Sequence, residues 1–247
     1  MTLLQHLEEL RHRIVMSFAG IVIGFFACWW KAAEIYSIMQ APITNVLRKH
    51  HLPEKLVYLN PTEPFELYMK MALIAGIFLA SPWVLYQVWL FISPGLYKNE
   101  KRYVLPFLFS TVGLFLAGGF FAYKLVYPSA LDFLIGFGDQ FQPMVTINEY
   151  TNLFLAVVLG LGAVFEMPIL IFFLALFGIV DAKFLWGNFR YAILLIFVIA
   201  AIVTPTADIL NMCIFAAPMC VLYFFSIGIA YLVHPKQREK RKAAVHA

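Results

Sequence analysis

The run LFLAVVLGLGAVFEMPILIFFLALF, residues 153–177, decides the class of fold. It holds a single ionisable side chain, Glu166, and the chain carries no other charge between Glu149 and Asp181. As a helix rising 1.5 Å per residue it would extend about 37 Å, more than the ~30 Å hydrocarbon core of a bilayer. A helix apolar on every side belongs inside a very large core or in lipid. Five further apolar segments follow the same pattern, at 14–33, 71–92, 104–123, 191–203 and 209–233. The expected fold is therefore all-α, a polytopic membrane protein of six transmembrane helices. The 191–203 segment is the shortest, bounded by Arg190 and Thr204, and spans only if its flanks enter the interface or the bilayer thins.

Composition excludes the soluble alternative. Apolar residues make up 62% of the 247 and charged residues only 13%, about half the usual share in soluble domains. The 25 Phe, 12 Tyr and 5 Trp would be costly to leave facing water. The net charge of +4 comes from short basic clusters between apolar blocks, with no stripe suited to phosphate contacts, so nucleic acid is not an expected partner. Cys28, Cys213 and Cys220 all fall in apolar segments without metal or disulfide spacing and read as packing residues. The amino end, MTLLQHLEELRHR, has two glutamates before its arginines and no small-residue cleavage site, so the first apolar segment is expected to stay in the mature chain.

Charge also orients the chain. With six spans both termini lie on one side, and that side collects 12 of the 18 Lys and Arg residues, which makes it cytoplasmic by the positive-inside rule. The membrane domain is expected over 1–233, with outside loops near 34–65, 127–151 and 204–208. Pro42, Pro53, Pro61 and Pro64 are expected to cut the first loop into short pieces, with an amphipathic helix near 43–50. The second is expected to carry a short helix after Pro128 and then a turn. The basic tail 234–247 has no apolar face and is expected to be disordered.

Several residues stand out inside this frame. Glu166 sits near the middle of its span, where a carboxylate is costly and marks either a partner-docking or functional site or a polar contact between helices. Pro82, Pro168 and Pro218 are interior to their spans and are expected to kink them. The stretch HLEELRHR places Glu8 and Glu9 about one helical turn from Arg11, His12 and Arg13. The loop SPGLYKNEKR sets Glu100 among Lys98, Lys101 and Arg102 on the same membrane face. Carboxylates clustered there suit capture of guanidinium groups, although each stretch also reads as orienting charge with its counter-ions. Catalysis is not expected. All six histidines lie outside the apolar segments, no HExxH motif occurs, and no cofactor is implied.

At HLEELRHRI (6–14), SPWVLYQVWLFISPGLYKNEKR (81–102), GGFFAYKLVYPSALDF (118–133), GAVFEMPILIFFLALFGIV (162–180) and AAPMCVLYFFSIGI (216–229) the chain closely resembles the TatC family of twin-arginine translocase subunits. The resemblance runs from His6 to about Tyr231. It implies a concave six-span protein of the bacterial inner membrane, without catalytic activity, that receives the twin-arginine signal peptides of folded precursors. It further implies Glu9 and Glu100 as recognition carboxylates, with Arg11, Lys101 and Arg102 as neighbours. Glu166 becomes a contact for TatA-like and TatB-like single-span subunits, and further copies of the chain are expected in the working complex. The sequence departs from the family at Phe224, where an acidic residue is usual, and in the TPTAD turn Asp208 is placed by its distance to Pro218 while the pairing of Thr206 and Ala207 stays open. The alternative from another class is a proton-linked secondary transporter using Glu166. The absence of a second buried charge and of a discontinuous helix pair counts against it.

Overall fold

The computed structural model describes residues 3–92, 104–138, 141, 143–203 and 209–233. Glu100, Lys101 and Arg102, the 204–208 turn and the 234–247 tail lie outside these residues. The described chain is helical: α1 (Leu3–Trp29), α2 (Ala32–Lys49), α3 (Glu63–Ile92), α4 (Val104–Phe121), a π-helical turn (Ala122–Val126), α5 (Tyr127–Phe137), α6 (Ile147–Val164), α7 (Met167–Leu176), α8 (Ala182–Gly187), α9 (Phe189–Val203) and α10 (Ile209–Val233). Among the described residues the one β feature is an isolated parallel bridge between Val57 and Thr146. There the amide of Val57 donates to Val145 O at 3.0 Å and the amide of Ile147 to Val57 O at 2.8 Å, joining two loops far apart in sequence.

Five helical stretches are long and apolar enough to cross a bilayer: Gln5–Trp29, Glu63–Ile92, Leu108–Phe137, Ile147–Leu176 and Met212–Val233. These match five of the six expected segments. The sixth, the 191–203 segment, is the shorter apolar helix α9, whose 15 residues give about 22 Å of rise and fall short of the hydrocarbon core. The third stretch outruns its expected end at residue 123. The π-helical turn carries it without interruption into α5, and Pro128 is accepted because it lies in the first turn of that helix.

α1 and α3 cross at glycines. A Cβ on Gly24 would stand 2.5 Å from Gly76 O, and one on Gly76 would stand 2.6 Å from the amide nitrogen of Phe25, so only hydrogen fits at either position. Small residues at a crossing let two backbones approach where lipid offers no hydrophobic drive to associate. Trp83 Nε1 adds a 2.9 Å hydrogen bond to Met16 O. Most other apolar side chains of α1, such as Phe18 and Phe26, are exposed, as suits a helix whose remaining faces meet lipid.

The largest side chains of the core are Tyr127, Tyr150 and Phe154, all fully buried, with Tyr127 edge-on to both other rings. Tyr127 Oη donates to Tyr150 O at 3.3 Å, Tyr150 Oη to Met39 O at 2.5 Å and Tyr123 Oη to Ile38 O at 2.6 Å. The last two bonds land on α2, and they correct the expectation that Pro42 breaks the first loop. Pro42 lies inside one 18-residue helix. The amide it cannot supply would have bonded Ile38 O, and the Tyr123 hydroxyl bonds that carbonyl instead. At Pro82, inside α3, the Ser81 hydroxyl donates to Phe78 O at 2.8 Å, again the carbonyl left without its i+4 amide.

Pro168 acts differently from an interior kink. The helix stops at Val164, turns through Phe165 and Glu166, and restarts at Met167, so Pro168 occupies the first turn of α7. Pro218 lies within α10. Cys213 also departs from its reading as a packing residue, because it faces outward from α10, whereas Cys28 and Cys220 are half-buried.

Candidate functional site

Three polar constellations stand out against the apolar bundle, one at each end and one between. At the end formed by the start of α1 and the finish of α3, Glu9 and Arg13 share a helix face one turn apart. Arg13 Nη2 lies 3.3 Å from Glu9 Oε1, and Arg13 Nη1 donates to Gln87 Oε1 at 3.3 Å. Gln87 is only 2% exposed, which fixes the guanidinium against α3. The His6 ring stacks on Phe91 at 4.5 Å and seats the first turns of α1 on the same helix. Glu9 Oε2 and Arg13 Nε are both buried and without a hydrogen-bond partner. Glu9 therefore keeps an unused, covered acceptor beside a resident guanidinium, an oxygen that a second guanidinium can bond once its cover is displaced. Glu8 and Arg11 are exposed on other faces of the helix and are not brought into this cluster.

Between the two ends, Glu166 sits in the turn that separates α6 from α7. Its carbonyl accepts the amides of Ile169 and Leu170, both at 3.0 Å, which restarts the helix. Its side chain opens on a cavity of about 360 Å³ bounded by Leu85, Val88 and Trp89 of α3, Thr111 of α4, and Ile169 and Phe173 of α7. Glu166 Oε1 is buried and unpartnered. Among the described lining residues it is the one ionisable group, set in an otherwise apolar wall beside the Thr111 hydroxyl.

The opposite end carries polar links that the sequence reading did not find. Asp132 of α5 receives Lys49 Nζ at 2.7 Å on one oxygen and stands 2.9 Å from His50 Nε2 on the other, tying α2 to α5. Lys70 of α3 reaches Asn148 and Asn152 of α6 at 3.1 and 3.0 Å. Arg48 donates to both oxygens of Glu54, at 2.9 and 3.0 Å, and these bonds hold the Glu54 carboxyl below its ordinary range. Each pair joins elements remote in sequence or separated by a turn, so no local spacing signalled it. Among the described residues no group of three or more His, Cys, Asp or Glu side chains is placed to hold a metal ion.

The fold and these sites define a polytopic, all-helical membrane protein with one carboxylate poised at a helix end and another within the bundle. The model of the family described as Sec-independent protein translocase protein (TatC) matches residues 5–218, and the chain belongs to that family. It is similar to the Sec-independent protein translocase protein TatC of Koribacter versatilis, at 66% identity over all of this chain and 91% of that one. The corresponding protein of Aquifex aeolicus is 36% identical, over 98% of this chain and 100% of the relative. Among solved structures, the crystal structure of a "Twin Arginine Translocase Receptor- TatC" superposes with a TM-score of 0.82 at 36% identity, covering 92% of this chain and 99% of that chain.

Proposed function

We infer that this chain is the core and receptor subunit of a twin-arginine translocase, binding the signal peptides of folded precursors and assembling with single-span partner subunits to export them. Family membership over nearly the whole chain gives the activity. The observation that carries the site is the buried, unpartnered Oε2 of Glu9, held on α3 through Arg13 and Gln87. A twin-arginine motif offers two planar, permanently charged forks, and a carboxylate with a free oxygen accepts one of them.

In this reading Glu9 and Glu100 recognise the arginines, while Arg11, Lys101 and Arg102 repel cationic segments that lack the right spacing. The incoming arginine competes with Arg13 for Glu9. Glu166 contacts the membrane helix of a TatA-like or TatB-like subunit, whose side chains enter the cavity of about 360 Å³, with further copies of the chain in the working complex. Pro82, Pro168 and Pro218 shape the bundle around these sites. Both termini lie in the cytoplasm and the α2 and α5 end faces outward, the orientation that the basic-residue count favours. A cysteine-free version given single cysteines at His12 or Leu59 tests this, since the two must label from opposite sides of the inner membrane.

The test of recognition is site-specific photo-crosslinking of a twin-arginine precursor to the membrane-embedded protein. Glu9→Gln, Glu100→Gln and the double variant are compared with the parent, alongside a precursor whose arginines are changed to lysines. Crosslinks should fall sharply in the glutamine variants at unchanged protein level. Undiminished crosslinking in the double variant would show that the arginines are read elsewhere.

A further inference from the structure

Between the short helix α8 and the last turns of α10 lies a groove of about 590 Å³ whose lining includes neither Glu9 nor Glu166. Its chemistry is divided. Lys183 and the rings of Trp186 and Tyr231 are exposed polar or amphipathic groups, whereas half-buried Ile227 with the exposed glycines 187 and 228 supplies the apolar part of the lining. Apart from the chain neighbours and the helix's own backbone, nothing stands within 4 Å of where a Cβ would sit on Gly187 or Gly228, so both positions are open to an occupant. Trp186 is held in place by ring contacts to Phe189 at 6.2 Å and to Phe224 at 6.3 Å.

Among the described residues no carboxylate lines this groove. The nearest in sequence, Asp181, is committed to its own backbone, accepting the amide of Phe184 at 2.7 Å as the cap of α8. Among the described lining residues the cation of Lys183 therefore meets no carboxylate. Arg190 follows on α9, exposed, and the chain beyond Tyr231 carries Lys236, Arg238, Lys240, Arg241 and Lys242. Tryptophan and tyrosine favour the headgroup level of a bilayer, and basic pockets between membrane helices favour anionic headgroups.

We propose that this groove is a binding site for one anionic phospholipid, its phosphate on Lys183 between Trp186 and Tyr231 and an acyl chain along Ile227 and Gly228. The charge of the rim selects the headgroup, and the missing glycine side chains make room for the chain.

Native mass spectrometry of the full protein in detergent tests this, with phosphatidylglycerol and phosphatidylcholine as probes. The parent should retain one phosphatidylglycerol about fivefold more strongly than phosphatidylcholine, the preference one surface cation confers. Lys183→Gln should remove that preference and Lys183→Arg should keep it. Gly228→Leu, which meets open space and so leaves the fold intact, should lower retention of both lipids. Equal retention of the two lipids by the parent would overturn the proposal. So would unchanged phosphatidylglycerol binding in both Lys183→Gln and Gly228→Leu, or full displacement of the lipid by inorganic phosphate. Lipid retention is read without signal peptide or transport, so its failure leaves the receptor function untouched.

Discussion

The hydroxyl of Tyr123 donates across 2.6 Å to the carbonyl of Ile38, the carbonyl that Pro42 leaves without its helical amide. A residue of the π-helical turn thus completes a hydrogen bond that α2 cannot make for itself. Tyr123→Phe should lower stability by about 0.5–1.5 kcal/mol, the usual worth of one such bond. In a Pro42→Ala background, where the amide of residue 42 reaches Ile38 O, the same change should cost clearly less. A double-mutant cycle on thermal unfolding in detergent measures the coupling, and a coupling of zero would separate the tyrosine from the proline.

The crossing of α1 and α3 makes a contrasting demand. Gly76→Ala drives a methyl group into the backbone of Gly24 and Phe25, which cannot move aside as a side-chain tip can. The cost should be about 1–3 kcal/mol of stability. Gly113→Ala, with nothing within 4 Å of the new carbon, should be neutral or slightly stabilising. Equal melting temperatures for the two variants would mean that the helices do not approach this closely in the membrane.

Glu166 separates polarity from charge. Glu166→Gln keeps the shape and most of the hydrogen-bonding capacity of the side chain, so association with single-span subunits and export should largely survive. Glu166→Leu removes both and should reduce co-purification of those subunits by about tenfold, the effect of losing one interhelical polar contact at the upper end of its range. Signal-peptide crosslinking should remain near the parent level. If the leucine variant captures partners as well as the parent, the cavity beside Glu166 is not where they bind.

These residues also mark what the sequence could disclose. The bounds of α10, Ile209–Val233, were legible because a helix apolar over its whole length ends where polar residues begin. The pairing of Glu9 with Arg13 was legible because i,i+4 spacing on a helix is a local relation. Gln87, which anchors that pair, is 74 positions from Arg13, and nothing around it announces the contact. Pro42 read as a breaker because its remedy comes from Tyr123, 85 positions from Ile38. The outer links through Asp132 and Lys70 were hidden for the same reason. Glu166 was conspicuous as a charge in an apolar run, but its place in a turn, with Pro168 opening a new helix, depended on where the chain spends the missing proline amide.

The interruption at Phe165 and Glu166 makes the span an articulated strut. Its first arm, α6, packs chiefly on α4 and α3, while its second arm, α7, packs chiefly on α10. Two plates of the molecule therefore meet at this joint, where the backbone ladder tightens to i→i−3 bonds at Glu166 and Ile169 and lacks the amide of Pro168. The walls of the Glu166 cavity come from both plates, α3 on one side and α7 on the other. That cavity therefore lies at the elbow, on the seam between the plate that carries Glu9 and the plate that carries Lys183, with the rings of Trp89 and Phe173 meeting across it at 5.6 Å.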